Sequence, residues 1–296
     1  MSLRNKLKIT YLILLVLFTI FVLLDTFVIP KSMIKVETPE QNYDAYLKSL
    51  DGVFTQNSYH DDDISIEISS MRRFDSNIYI ADIYINDIKY LKSAFANNEF
   101  GRNIKESTSN IAKSSNAILA INGDYYGFRD YGCVLRNGII YRDIKNPDEK
   151  QQDLVIYSDG RLEVEYENKI DLQQLKENGA IHVISFGPEL IHNNEIVVHE
   201  KQEVPISSPS NPRTAIGIYD KGHYVFVVSD GRTDESKGLS LYQLSQCIKE
   251  LGCTMAYNLD GGGSTTMFFN NQIVNIPTDG NHIEERRVSD ILYIGK

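Results

Sequence analysis

The sequence predicts an α/β (α+β) fold, a mixed β-sheet flanked by helices with β-hairpin embellishments, preceded by one N-terminal transmembrane helix. Three patterns predict it. Short β-branched runs alternate with turn residues through most of the chain. Near the end, Leu239 to Leu251 places Leu241, Leu244, Ile248 and Leu251 at helical spacing between two apolar strands, a strand–loop–helix–strand unit. At the front stands a single long apolar run.

That run reads as a membrane address. Arg4, Lys6 and Lys8 form a basic tail over residues 1–8, and the apolar stretch Ile9 to Leu24 continues through Thr26 to Ile29 across one Asp25. About twenty residues suffice to cross a bilayer, and the basic side stays in the cytoplasm. Residues 9–29 are therefore expected to contact the lipid bilayer as a single-pass signal anchor in the cell membrane, with the rest of the chain extracytoplasmic. A cleaved signal peptide competes with this reading, but no small-x-small site follows the run. Residues 30–59 are polar apart from the amphipathic stretch Tyr43 to Leu50 and read as a stalk. Asp61-Asp62-Asp63 reads as a solvated turn rather than a metal cluster.

The domain proper opens at about residue 60. Ile64 to Ile68 and Asn77 to Ile85 alternate as strands, and Glu99 to Ser115 is helix-compatible. Asn116 to Ile121 is a continuous apolar run of the kind buried on both faces, and it ends in Asn122-Gly123-Asp124-Tyr125-Tyr126-Gly127-Phe128. Asn122 and Asp124 thus stand at a strand's carboxyl end, where sheets keep their sites, although an Asx-turn uses the same residues. Asn137-Gly138 and Asp159-Gly160 mark hairpins between about Cys133 and Glu167. Asp171 caps a short helix ended by Gly179, and the strand Ile181 to Phe186 leads into Gly187-Pro188-Glu189, which holds Glu189 on a rigid turn.

In the last third, Asn211-Pro212-Arg213-Thr214 precedes the strand Ala215 to Tyr219, and Tyr224 to Val228 ends in Ser229-Asp230-Gly231-Arg232. The helix begins at the N-cap Ser240 and stops at Gly252. The strand Thr254 to Leu259 then delivers Asp260 into Gly261-Gly262-Gly263-Ser264. Read as a crossover, this unit brings Asp230 and Asp260 to one edge of neighbouring parallel strands, with Arg232 beside them; a plain Arg232–Asp salt bridge is the alternative. Three consecutive glycines are costly in chain entropy and allow close backbone approach, with N–H groups able to form an anion-binding concavity. A P-loop and a dinucleotide fingerprint are both excluded, because no Lys-Ser/Thr pair and no helix follow.

Charge and composition narrow the classes. A formal net charge of −10 argues against nucleic acid as a partner, since counterion release needs a basic patch. Cys133, Cys247 and Cys253 are too few for a disulfide framework and too scattered for a zinc site. Cys247 and Cys253 are placed to pair across a helix end, yet buried bystanders fit equally. The six histidines form no metal-binding motif.

Taken together, Asn122-Gly-Asp-Tyr-Tyr, Gly187-Pro-Glu, Asn211-Pro-Arg-Thr-Ala-Ile-Gly, Asp230-Gly-Arg, the helix after it, Asn258-Leu-Asp-Gly-Gly-Gly-Ser-Thr, Val274-Asn-Ile-Pro and Arg287-Val before a final strand resemble the phosphodiester glycosidase family in content and order. The likeness covers roughly residues 60 to 296 and, with so few cysteines, is to the bacterial branch. It implies a catalytic domain over 60–296 that hydrolyses a sugar-1-phosphodiester, of N-acetylglucosamine for example, to a sugar and a phosphomonoester. A phosphodiester-linked glycan or cell-wall polymer such as an exopolysaccharide would suit an outward-facing enzyme of this kind, an expectation that rests on the anchor topology alone. Such a site needs a carboxylate facing the anomeric carbon, and Asp124, Glu189, Asp230 and Asp260 are the candidates. It needs neutralisation of phosphate, for which Arg213, Arg232 and Arg287 are candidates with the N–H groups of Gly261, Gly262, Gly263 and Ser264. Asn122 and Thr214 join them as substrate-binding candidates. Tyr125, Tyr126 and Phe128 are placed either to form a sugar platform or to pack in the core. Calcium or magnesium on Asp124, Asp230 and Asp260 is compatible with hard oxygen ligands. A metal-dependent phosphodiesterase and a non-catalytic polysaccharide-binding module remain as alternatives.

Overall fold

The computed structural model describes residues 3–36, 42–204 and 210–296. The class expected from the sequence is what it shows: sheets with few helices, hairpin embellishments and one N-terminal apolar helix. That helix spans Leu3–Phe27 and buries none of its residues within the protein, the condition expected of an apolar span with a second solvent to face. Residues 1–2 of the basic tail and 37–41 of the expected stalk lie outside the described part.

The rest of the expected stalk is docked on the domain. Lys31–Lys35 pairs with Glu99–Arg102, and Asn42 caps the helix Tyr43–Ser49, which packs Tyr43 and Tyr46 into a core cluster. Val53–Phe54 and Ser58–His60 then extend the main sheet. The amphipathic stretch was visible in sequence; its landing site on the outer face of a distant sheet was not.

That main sheet has nine strands in the order Glu195–Ile196, Glu189–His192, Met255–Asn258, Arg213–Asp220, His223–Ser229, Ser76–Ile85, Ile64–Arg73, Ser58–His60 and Val53–Phe54. Alternation divides its faces. Tyr224, Phe226 and Val228 enter the largest core cluster with Ile216 and Tyr257, while Val225 and Val227 face the helix Leu241–Leu251 through Leu241, Leu244 and Ile248. Each such fully buried aliphatic side chain contributes about 1.5–3 kcal/mol. The helix has the full capping box, Ser240 accepting from Gln243 N–H and Gln243 from Ser240 N–H, and it ends at Gly252 with φ +91°.

Two five-stranded sheets close over the other face. One runs Gln272–Ile273, Met267–Phe269, Leu119–Asn122, Asp290–Ile294, Leu91–Phe95; the other runs Ile139–Arg142, Val134–Arg136, Ala180–Ser185, Gln152–Tyr157, Leu162–Tyr166. Both predicted Asn-Gly and Asp-Gly hairpins are present in the second.

The parallel pairing expected of Asp230 and Asp260 requires correction. His223–Ser229 and Met255–Asn258 do run in the same direction, but Arg213–Asp220 lies between them, antiparallel to both. The crossover helix therefore skips one strand. Asp230, Asp260 and Arg213 still arrive at one edge, separated by a strand's width.

Candidate active site

At that edge the loop after Met255–Asn258 opens into a cleft of about 600 Å³ lined by Asp260, Ser264, Tyr125, Phe128, Lys105, Asp279, Glu284, Glu285, Arg286 and Arg287. Asp260 is partly accessible within it. Its backbone is fixed on both sides: the Asn122 side-chain amide donates to its carbonyl at 2.6 Å, and its own N–H donates to the Gly123 carbonyl at 3.3 Å. Burial raises its carboxyl to about 6, against the opposing influence of the Ser264 hydroxyl, the Arg286 charge and the Gly261 N–H. This is the one predicted carboxylate that faces the cleft.

The glycines have a different use from the one expected. Gly261 N–H donates to the Asp260 carboxylate at 2.8 Å, Gly262 N–H to the Pro212 carbonyl at 2.8 Å, and Ser264 N–H to the Gly261 carbonyl at 3.2 Å. These donors are engaged inside the protein and do not form an anion concavity. What the absent side chains provide is room. A Cβ on Gly261 would stand 2.9 Å from the Pro212 carbonyl oxygen, one on Gly262, at φ +63°, 2.7 Å from Arg232 Nη2, and one on Gly263 2.5 Å from Asp279 Oδ1 and 2.8 Å from Arg286 Nε. Two guanidinium groups can therefore lie directly against the loop.

Arg232 sits at φ +62° and is oriented by Asn211 Oδ1, which accepts at 3.0 Å and 3.3 Å, and by the Thr278 carbonyl at 3.3 Å. Burial and the nearby Arg286 charge lower its pKa. Arg286 donates its backbone N–H to the Gly263 carbonyl at 3.0 Å and its side chain to Asp279 Oδ1 at 2.6 Å and 3.0 Å. Arg287, the predicted arginine, also lines the cleft and is exposed. Arg286 is ion-paired with Asp279, and the cleft carries Lys105, Arg286 and Arg287 interleaved with Asp260, Asp279, Glu284 and Glu285. Tyr125 and Phe128 stack at 4.7 Å and form an aromatic wall; Tyr126 instead stacks at 5.1 Å on buried Phe100. The first pair thus lines the cleft, where the platform reading needs it, whereas Tyr126 is packed in the core.

The other predicted carboxylates are held away from the cleft. Asp124 accepts from Arg136 Nη2 at 2.8 Å, Ser185 N–H at 3.0 Å and Tyr126 N–H at 2.8 Å, and Arg136 also binds Asp290 at 2.9 Å and 3.0 Å, all fully buried. Burial opposes the charge on Asp124, but the Arg136 and Arg129 charges and the two N–H donors outweigh it and hold its pKa down; burial and the Asp124 charge push Asp290 up. Asp230 is buried too, accepting from Tyr79 Oη at 3.1 Å and Ile276 N–H at 2.7 Å, and burial raises its pKa. Glu189 stands opposite Tyr257 at the same strand end, bonded to His192 Nδ1 at 2.8 Å, and is not among the residues that line the cleft. Arg213 is buried, its Nε donating to the Leu239 carbonyl at 2.8 Å and its Nη2 to Glu203. Thr214 Oγ1 donates to Asn122 Oδ1 at 2.8 Å, so these two brace the loop from beneath and do not reach into the cleft.

Asp124, Asp230 and Asp260, the residues considered for calcium or magnesium, share no common ligand position. Among the described residues, the ligand atoms that gather within 4.8 Å are those of buried Cys133, Asp153 and Glu167. All three cysteines are buried and unbridged.

Sequence reasoning missed Arg286, Asp279, Lys105, Glu284 and Glu285. Arg286 adjoins the chosen Arg287, and the tandem pair was the available signal; which of the two turns toward the glycines depends on the hairpin Thr278–Asp279 with His282–Ile283, two strands too short to carry a pattern.

With fold and cleft in place, comparison with known proteins assigns the class. A sequence profile of the phosphodiester glycosidase family matches residues 115–295, and the chain belongs to that family. It is 28% identical over 200 residues to the Bacillus subtilis SPbeta prophage-derived uncharacterized protein YomE, covering 66% of this chain and 30% of that protein. It is 26% identical over 184 residues to human N-acetylglucosamine-1-phosphodiester alpha-N-acetylglucosaminidase, covering 57% of this chain and 35% of that one. The chain thus spans about a third of the length of these relatives. Its fold is shared with the zebrafish N-acetylglucosamine-1-phosphodiester alpha-N-acetylglucosaminidase catalytic domain, at TM-score 0.63 and 22% identity over 88% of this chain and 96% of that one.

Proposed function

We propose that this protein hydrolyses a sugar-1-phosphodiester at the anomeric C–O bond, outside the cytoplasm, on a cell-surface glycopolymer, and that the helix Leu3–Phe27 anchors it in the membrane. The observation that carries the reading is the convergence of Arg232 and Arg286 on the glycine loop beside Asp260 and the Tyr125–Phe128 wall. The aromatic pair suits the apolar face of a sugar ring. Arg286 and Arg232, with Arg287 at the rim, suit the phosphodiester anion and the second charge that develops as it leaves. Asp260, ionised above about pH 6, serves at the anomeric carbon as nucleophile or as base for water. A phosphomonoester is a good leaving group, so less is asked of a general acid than in ordinary glycoside hydrolysis.

Turnover of a synthetic N-acetylglucosamine-1-phosphodiester in heavy-oxygen water tests this. The label is expected in the sugar; label in the phosphate would establish P–O cleavage and overturn the glycosidase reading, and absence of turnover would favour a binding module.

A further inference from the structure

The cleft lies beside the point where the apolar helix leaves the domain. The side-chain amide of Asn103 donates to the carbonyls of Thr26 and Ile29, both at 3.1 Å, closing the end of the helix, while Asn103 N–H donates to the Gly127 carbonyl at 2.9 Å. Two residues beyond Asn103 is Lys105, and either side of Gly127 are Tyr125 and Phe128, three cleft-lining residues. Both walls therefore begin within roughly 7 Å of the residues that clamp the helix, the extended reach of two residues. Lys31–Lys35, paired with Glu99–Arg102, leaves no slack between helix and domain.

Span length sets the depth. Ile9 to Leu24 covers roughly 24 Å as a helix, short of a hydrocarbon core of roughly 30 Å, and extension to Ile29 brings it to roughly 31 Å. Asp25 is the charge inside that extension, and Lys31 pairs with it at 2.7 Å. Phe27, Val28 and Ile29 are exposed around the exit, as are Met33 and Ile34 of the docked strand. The loop that forms the aromatic wall also exposes Tyr131 with Arg129 over its ring, the residue types that settle at a membrane interface.

We infer that the substrate of this site is itself a membrane component: a sugar-1-phosphodiester whose second ester oxygen belongs to a lipid alcohol, presented at the headgroup level where the cleft is held. The inference rests on the glycosidase reading above and replaces the glycopolymer in it with a lipid-linked sugar as the substrate. Water would add at the anomeric carbon as the C–O bond breaks, leaving a free sugar in solution and a lipid phosphomonoester in the bilayer.

The test uses the full chain in phosphatidylcholine vesicles with two substrates, an N-acetylglucosamine-1-phosphate diester of a long-chain prenol in the same vesicles and the water-soluble methyl diester. The prenol diester is expected to turn over at least about tenfold faster at equal bulk concentration. A Gly-Ser insert of about ten residues between Ile29 and Pro30, with a reach of roughly 17 Å, combined with Asn103→Gly to release the clamp on Thr26 and Ile29, frees the domain from the surface. It should abolish that preference and leave methyl-diester turnover unchanged. Equal rates on the two substrates, or an insert without effect on their ratio, would overturn the inference while leaving the glycosidase reading intact. Failure on both substrates would remove the glycosidase reading itself.

Discussion

Asp260 carries opposed demands, and they give it a pH signature. In the folded chain its proton is held to about pH 6, whereas an unfolded aspartate releases it near pH 3.9, so folded stability is full below the lower value, declines between the two, and stays reduced above the higher. Asp260→Asn removes that penalty. The variant should melt above the wild type at pH 7 and together with it at pH 3, while kcat falls by roughly 10²–10⁴. Wild-type activity should fall on the acid side of about pH 6, measurable as kcat/KM against pH. Arg286→Lys keeps the charge and loses the planar fork against Asp279 and, on the proposed reading, against a substrate phosphate; a loss of roughly tenfold to a hundredfold in kcat/KM is expected, mostly in KM. Residue identities were legible where the chain punctuates itself, as at Asp260 before three glycines. They were illegible where two like residues stand side by side, as with Arg286 and Arg287.

Among the elements, the glycine loop and the buried carboxylates behave differently under substitution. Gly262→Ala introduces a methyl group at φ +63° against Arg232 Nη2, so the guanidinium is displaced; KM should rise with thermal stability reduced by only about 1 kcal/mol. Arg136→Met strands Asp124 and Asp290 without their counter-charge and should cost about 3–5 kcal/mol, read from a urea midpoint. Asp124 stood at the expected end of an expected strand, yet a buried arginine on a different sheet has claimed it. No pattern along the chain signals that, because Arg136 reaches Asp124 across two sheets and shares its guanidinium with Asp290 from far along the chain. The strands themselves were legible from alternation and the crossover helix from its apolar stripe and caps. The intervening strand was legible as Ala215 to Tyr219, within Arg213–Asp220, but nothing local states which neighbours it will separate.

For the whole molecule, the reading proposed above assigns phosphate neutralisation to Arg232, Arg286 and Arg287, and the oxygens of Asp124 and Asp230 are occupied by protein donors. Turnover should therefore survive dialysis against a chelator; a loss restored by calcium or magnesium would assign a cation to the cleft. The family was legible because its short pieces recur in order, whereas the docking of residues 31–35 and 42–60 was not, since polar segments adhere through hydrogen-bond geometry that composition does not reveal. One further matter follows from strand order. Asp290–Ile294 is inserted between Leu119–Asn122 and Leu91–Phe95, so the sheet bearing Asn122 has a missing middle until that late segment is delivered. During N-to-C synthesis the sheet would present two unpaired edges to any strand nearby, and the loop that Asn122 braces would gain its support only once Asp290–Ile294 has emerged.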